Sequence, residues 1–113
     1  MARDFSLEIA PTGYRSLGAV KDKKTQGEIA KAIDGLARSP EAQGKALAGP
    51  LVGLRSARAA RNHYRILYRV DAESKLVSVL LIARRKAGAE DDVYALARRL
   101  LRTLMRQGPE EEA

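Results

Sequence analysis

The sequence predicts an α+β domain: a small, mostly antiparallel sheet in the order β-α-α-β-β-β-α, with two N-terminal helices packed on one face and a further C-terminal helix. Three observations lead there. Between Leu54 and Arg85, apolar and cationic residues take turns in short segments, the two-residue period of strands that bury one side. From Thr25 to Arg38, and again from Val93 to Leu104, apolar residues recur at helical spacing. Ser39-Pro40, Asn62-His63 and Asp71 to Ser74 punctuate the runs with turn-forming residues.

Taken in order, Phe5, Leu7 and Ile9 alternate with Asp4, Ser6 and Glu8 as a first strand, which Pro11 ends. Tyr14, Leu17, Gly18 and Val20 form a short helical stripe weakened by Gly13 and Gly18, and the polar run from Lys21 to Glu28 makes a bend. The second helix carries Ile29, Ile33, Leu36 and Ala37 on one face, and Thr25 with Glu28 resembles a capping box. Glu41 to Gly53 is rich in small residues and reads as a loop without a stable element. Strands then run from Leu54 to Ala60, His63 to Asp71 and Lys75 to Arg84. The last is nearly continuously apolar, as expected of a strand central in its sheet. Asp91 or Asp92 can cap the final helix, whose other face bears Arg98, Arg99, Arg102 and Arg106. One domain spans residues 1–107, and 108–113 is an acidic frayed tail.

One Phe, four Tyr and no Trp make the core aliphatic. A formal charge of +7 attracts polyanions, and arginine dominates the basic residues beyond Lys45. Its guanidinium fork suits bidentate phosphate contacts, so nucleic acid leads the partner classes, with a merely solvated basic surface an equally weighted alternative. With no cysteine and one histidine, thiolate chemistry is excluded and no metal or other cofactor is expected. Charges interrupt any signal-peptide core in MARDFSLEIA, and no apolar run is long enough to span a membrane, so a cytoplasmic location is expected.

Side chains two apart along a strand share a face, so Arg65 and Arg69 project together while Tyr64, Ile66, Tyr68 and Val70 point the other way, into the core. Arg65 has a bland reading as the partner of Asp71 or Glu73. Arg84 and Arg85 compete for one role, because a slip of one residue exchanges faces. His63 reads first as a solvated turn residue, and Tyr94 equally as part of the helix stripe.

Leu54-Arg55-Ser56 with Arg58, Tyr64-Arg65-Ile66-Leu67-Tyr68-Arg69-Val70, and Ile82-Ala83-Arg84-Arg85-Lys86 followed by Asp92-Val93-Tyr94 carry a resemblance to the RelE/ParE superfamily of bacterial toxins. The likeness extends from Asp4 to about Met105, by pattern more than identity in the first half. RelE-like members cut mRNA in the ribosomal A site, ParE-like members act on DNA gyrase, and both are held inactive by a cognate antitoxin protein. The resemblance implies a toxin of a type II toxin–antitoxin system, with the RelE-like endoribonuclease (mRNA interferase) favoured and a gyrase-inhibiting toxin or a non-toxic, antitoxin-binding relative as alternatives. It implies catalytic roles for Arg65, Arg85 and Tyr94, and phosphate or RNA contacts for Arg55, Arg58, Arg61, Arg84 and Lys86. Where RelE-like enzymes often carry lysines on the strand after the helices, this chain has arginines, which leaves Tyr94 or His63 to take the proton.

Overall fold

The computed structural model describes residues 5–85 and residue 102. The chain runs β1 (Ser6–Ile9), α1 (Pro11–Gly18), α2 (Lys23–Gly35), β2 (Lys45–Ala46), β3 (Leu54–Ala59), β4 (Tyr64–Asp71) and β5 (Leu76–Arg84), with 3-10 turns at Pro40–Ala42 and Gly49–Leu51. The strands form one sheet in the order β1-β5-β4-β3-β2. β1 lies parallel to β5, and every other pairing is antiparallel. The expected final helix lies outside the described residues, apart from Arg102, which is helical and exposed.

β5 has the most apolar strand sequence because it is covered on both sides. Val77, Val79 and Ile82 belong to the larger core with Ile29, Ile33 and Leu36 of α2 and its C-terminal turn, whereas Leu80 and Leu81 pack against a second cluster of Leu47, Leu51, Leu54 and Leu67. Strict alternation would not put residues 79 and 82 on one side. A bulge allows it: Leu67 pairs with Leu81 but Tyr68 pairs with Val79, leaving Leu80 as the extra residue on β5.

The bulge falls where β1 ends at Ile9, so that edge of β5 loses its strand partner. α1 takes over the exposed backbone groups. The Thr12 hydroxyl donates to the Leu80 carbonyl at 2.7 Å, and the Ile82 N–H donates to Ser16 Oγ at 2.9 Å. Gly13 permits this approach, since a Cβ there would stand 2.7 Å from the Val79 carbonyl oxygen. Pro11 at the first helical position needs no N–H partner, which is why it both ends β1 and opens α1.

α2 begins two residues before Thr25. Asp22 is its N-cap, accepting from the Thr25 N–H at 3.0 Å and the Thr25 hydroxyl at 2.5 Å, so Thr25 acts as a donor to the cap and not as the cap itself. Tyr14 is likewise not part of a buried stripe but 67% exposed, while Leu17 is half-buried and Val20 buried.

The segment 41–53 departs from the loop expected of it. β2 adds a fifth strand by pairing Lys45 with Ser56 and Ala46 with Arg55, and the following turn buries Leu47 and Leu51 against the sheet. Gly44 makes the join possible: its φ is +64°, and a Cβ would meet the Ser56 carbonyl oxygen at 2.5 Å. Tyr68 secures the same segment from inside the core. Fully buried, its hydroxyl lies 2.9 Å from the Pro40 carbonyl oxygen and 3.0 Å from that of Gln43.

Candidate phosphate-binding site

Along β4 the expected alternation holds. Ile66, Tyr68 and Val70 join the core beneath the helices, with Tyr64 partly buried beside them. Arg65, Leu67 and Arg69 face the other way. Leu67 meets the leucine cluster roofed by the 47–51 turn, so among the described residues this face carries no α-helix.

Arg65 pairs across to Arg58 on β3 and to Ala83 on β5. Like charges placed directly opposite on neighbouring strands oppose folding, so their juxtaposition is not a packing device. The third cation is selected by the bulge. Without the extra Leu80, Arg84 would share the Arg65 side. With it, Arg84 pairs with Tyr64 on the helix side, and alternation carries Arg85 beyond Ala83 onto the Arg65 side. The Arg85 N–H donates to the His63 carbonyl at 2.7 Å, which extends the ladder to that residue.

The charges feel one another. Burial first, then the fields of Arg85 and Arg58, hold the Arg65 guanidinium below its ordinary range. An arginine so placed stays protonated, and the added cost of its charge is relieved when an anion enters.

Among the described residues, no carboxylate holds Arg65. Its Nη1 donates to Asn62 Oδ1 at 2.8 Å, with longer contacts to the carbonyls of Asn62 at 3.4 Å and Tyr64 at 3.3 Å. Asp71 stands six residues along the strand, about 20 Å away at 3.3 Å per residue. Its carboxylate accepts the N–H groups of Glu73 and Ser74, at 3.1 and 3.3 Å. Hydrogen bonds from Ser74, opposed by slight desolvation and aided by Glu73 and Arg69, hold Asp71 below the usual carboxylate range. The ion pair envisaged from sequence does not form.

The remaining predicted residues divide. Arg55 lies on the helix side opposite Tyr68, where its Nε and Nη2 reach the Gln43 carbonyl at 3.2 and 2.7 Å and tie down the start of β2. Arg61 occupies the β3–β4 hairpin with φ +56°, exposed. Its charge adds, after the Thr25 hydrogen bonds and Lys24, to the effects lowering the pKa of Asp22, which places it toward the first turn of α2. The structure therefore brings Arg58, Arg65 and Arg85 together and leaves Arg55, Arg61 and Arg84 elsewhere. Lys86 and Tyr94 lie outside the described residues. Asn62, expected only to bend the chain, is the residue that sequence reasoning missed; its place in the turn, three residues before the outward strand position of Arg65, was the available signal.

No group of three or more His, Cys, Asp or Glu residues is disposed to hold a metal among the described residues. No helix among them is long and apolar enough to cross a membrane.

A mixed sheet with two helices on one side and, among the described residues, clustered arginines on the other defines a small α+β domain with a basic face. Comparison with known proteins supplies its family. The family model described as the ParE toxin of the type II toxin–antitoxin system parDE matches residues 6–88. The chain belongs to this toxin family, within the RelE/ParE superfamily of type II toxins.

Among solved structures, the toxin–antitoxin complex RelBE2 from Mycobacterium tuberculosis contains a chain 30% identical to this one, with a TM-score of 0.67 over 74% of this chain and 100% of that one. The chromosomal ParDE system of P. aeruginosa gives 20% identity and a TM-score of 0.61 over 73% and 97%. The isolated E. coli RelE toxin gives 16% and 0.62 over 86% and 98%. At these lower identities the likeness is one of fold, and it embraces RelE and ParE alike. Among curated proteins, none matches the chain.

Proposed function

We propose that this toxin acts as a RelE-like endoribonuclease, gripping a scissile phosphate of mRNA in the ribosomal A site with Arg58, Arg65 and Arg85. The convergence of these arginines on the face opposite α1 and α2 carries the reading. Cleavage by 2′-hydroxyl attack demands removal of the 2′ proton, stabilisation of the phosphorane and protonation of the departing 5′-oxygen. Permanent cations that hold two oxygens at once suit the second task. Tyr94, by resemblance, or His63 in the hairpin takes the proton.

A cognate antitoxin completes the system. An acidic or amphipathic segment of it masks the arginine face or competes with the stripe from Val93 to Leu104. Truncation after Gly88 is expected to weaken the antitoxin complex; an unchanged affinity removes the stripe from the interface.

The second reading, a gyrase inhibitor in which the arginines serve partner contacts, is favoured by the ParE description of the matching family model. Growth after induction separates the two. Arg65→Ala with Arg85→Ala restores growth if phosphate gripping is the toxic act. Undiminished toxicity, accompanied by gyrase-dependent DNA breaks and intact mRNA, supports the second reading.

A further inference from the structure

We propose that Asn62 is a positioning residue, whose neutral carboxamide holds the Arg65 guanidinium in the orientation from which it meets a phosphate; the proposal rests on the phosphate-gripping reading above. Ala60, Arg61 and Asn62 have φ values of 50°, 56° and 71°, three successive non-glycine residues in the left-handed region. Such residues are disfavoured by contact between Cβ and the following carbonyl oxygen, and asparagine tolerates the conformation best of these three. The hairpin is closed by the His63 N–H on the Ala60 carbonyl at 3.0 Å and fastened to the end of β5 by the Arg85 N–H on the His63 carbonyl at 2.7 Å. One turn thus anchors both ends of the cation cluster.

The chemistry of the anchor matters. Arg65 directs a single nitrogen, Nη1, at Asn62 Oδ1 and the two backbone carbonyls. The fork formed by Nε and Nη2 makes none of these bonds, and that edge matches two oxygens of a phosphate. Arg85 and Arg58 repel the guanidinium, and the Asn62 acceptor 2.8 Å from Nη1 holds it in place against that repulsion. A carboxylate in its place would hold Arg65 equally well but cancel the charge the site needs, whereas a carboxamide orients without neutralising.

Asn62→Gly keeps the left-handed backbone accessible and removes the whole side chain, the carboxamide with it. The full chain is compared with this variant by nitrogen relaxation of the Arg65 Nε–Hε group in the free protein, and by single-turnover cleavage of mRNA on programmed ribosomes. In the variant, the order of the Arg65 group falls, and the maximal rate drops at least about tenfold while KM stays within about twofold. That rate cost disappears in an Arg65→Ala background, as it must if Asn62 acts through Arg65. Unchanged Arg65 order, or the same rate cost in both backgrounds, overturns the proposal. If the wild-type chain leaves mRNA uncut, the ribonuclease reading fails on that control, and the relaxation result alone decides whether Asn62 fixes Arg65.

Discussion

The two faces of the sheet are built from the same strands, yet solve opposite problems. Under the helices, Ile66, Tyr68, Val77, Val79 and Ile82 are closed off by Ile29, Ile33 and Leu36 in one apolar core. On the other face, Leu54 and Leu67 are roofed by the 47–51 turn, but at the hairpin end Arg65 faces Arg58 directly and Arg85 adds its charge. The leucines bury apolar surface on both faces, whereas the like charges at the hairpin end of the second oppose folding. The comparison teaches that substitutions on the two faces should separate folding from activity.

The sharpest break is Arg65→Ala combined with Arg85→Ala. Removing two donors from a developing phosphorane is expected to lower ribosome-dependent cleavage by about a thousandfold or more, while thermal melting shows no loss of stability because like charges have been relieved. Ile66→Ala tests the opposite face: the truncated core should lose about 2–5 kcal/mol of unfolding free energy in a denaturant titration. Tyr68→Phe sharpens the same side. It removes the hydroxyl from the Pro40 and Gln43 carbonyls, and a loss of about 1–3 kcal/mol is expected, with the 41–53 segment loosening first in hydrogen exchange. Ala60→Gly acts in reverse, relieving a φ of +50° in the hairpin. A gain of about 1 kcal/mol in the same titration is expected.

The smallest effect is that of Asp22→Asn at the α2 cap. Hydrogen bonds from Thr25, its side chain before its backbone, hold the Asp22 carboxyl below its ordinary value despite slight desolvation, with Lys24 and Arg61 assisting. A carboxylate depressed in the folded state stabilises above its unfolded pKa, and that contribution is lost as pH falls through the folded value. Melting temperatures of wild type and variant should therefore differ at neutral pH, and the part of that difference due to charge should vanish in acid.

Much of this contrast was legible in the sequence, and where it was not, the cause is tertiary. The alternation along β4 placed Arg65 opposite the core because β4 itself carries no extra residue, the bulge falling on β5. The choice between Arg84 and Arg85 was not decidable locally. It turns on the Leu80 bulge, beside the point where β1 runs out and Thr12 and Ser16 take over the edge of β5. The segment 41–53 looked structureless because its two-residue strand exists only against β3, and its leucines find a core only beneath that fold. Asp22, in the run expected to form a bend, is the cap of α2, and Thr25 donates to it.

The central claim, that the arginine-bearing face grips and cleaves RNA, is tested most directly by mapping RNA 5′ ends in a purified translation system supplied with the protein, with ribosomes present and with ribosomes omitted. The account predicts new 5′-hydroxyl ends at codons in the A site when ribosomes are present, absent without them and absent with the Arg65→Ala, Arg85→Ala chain. Intact mRNA with ribosomes present, alongside a protein that still arrests growth, would contradict it.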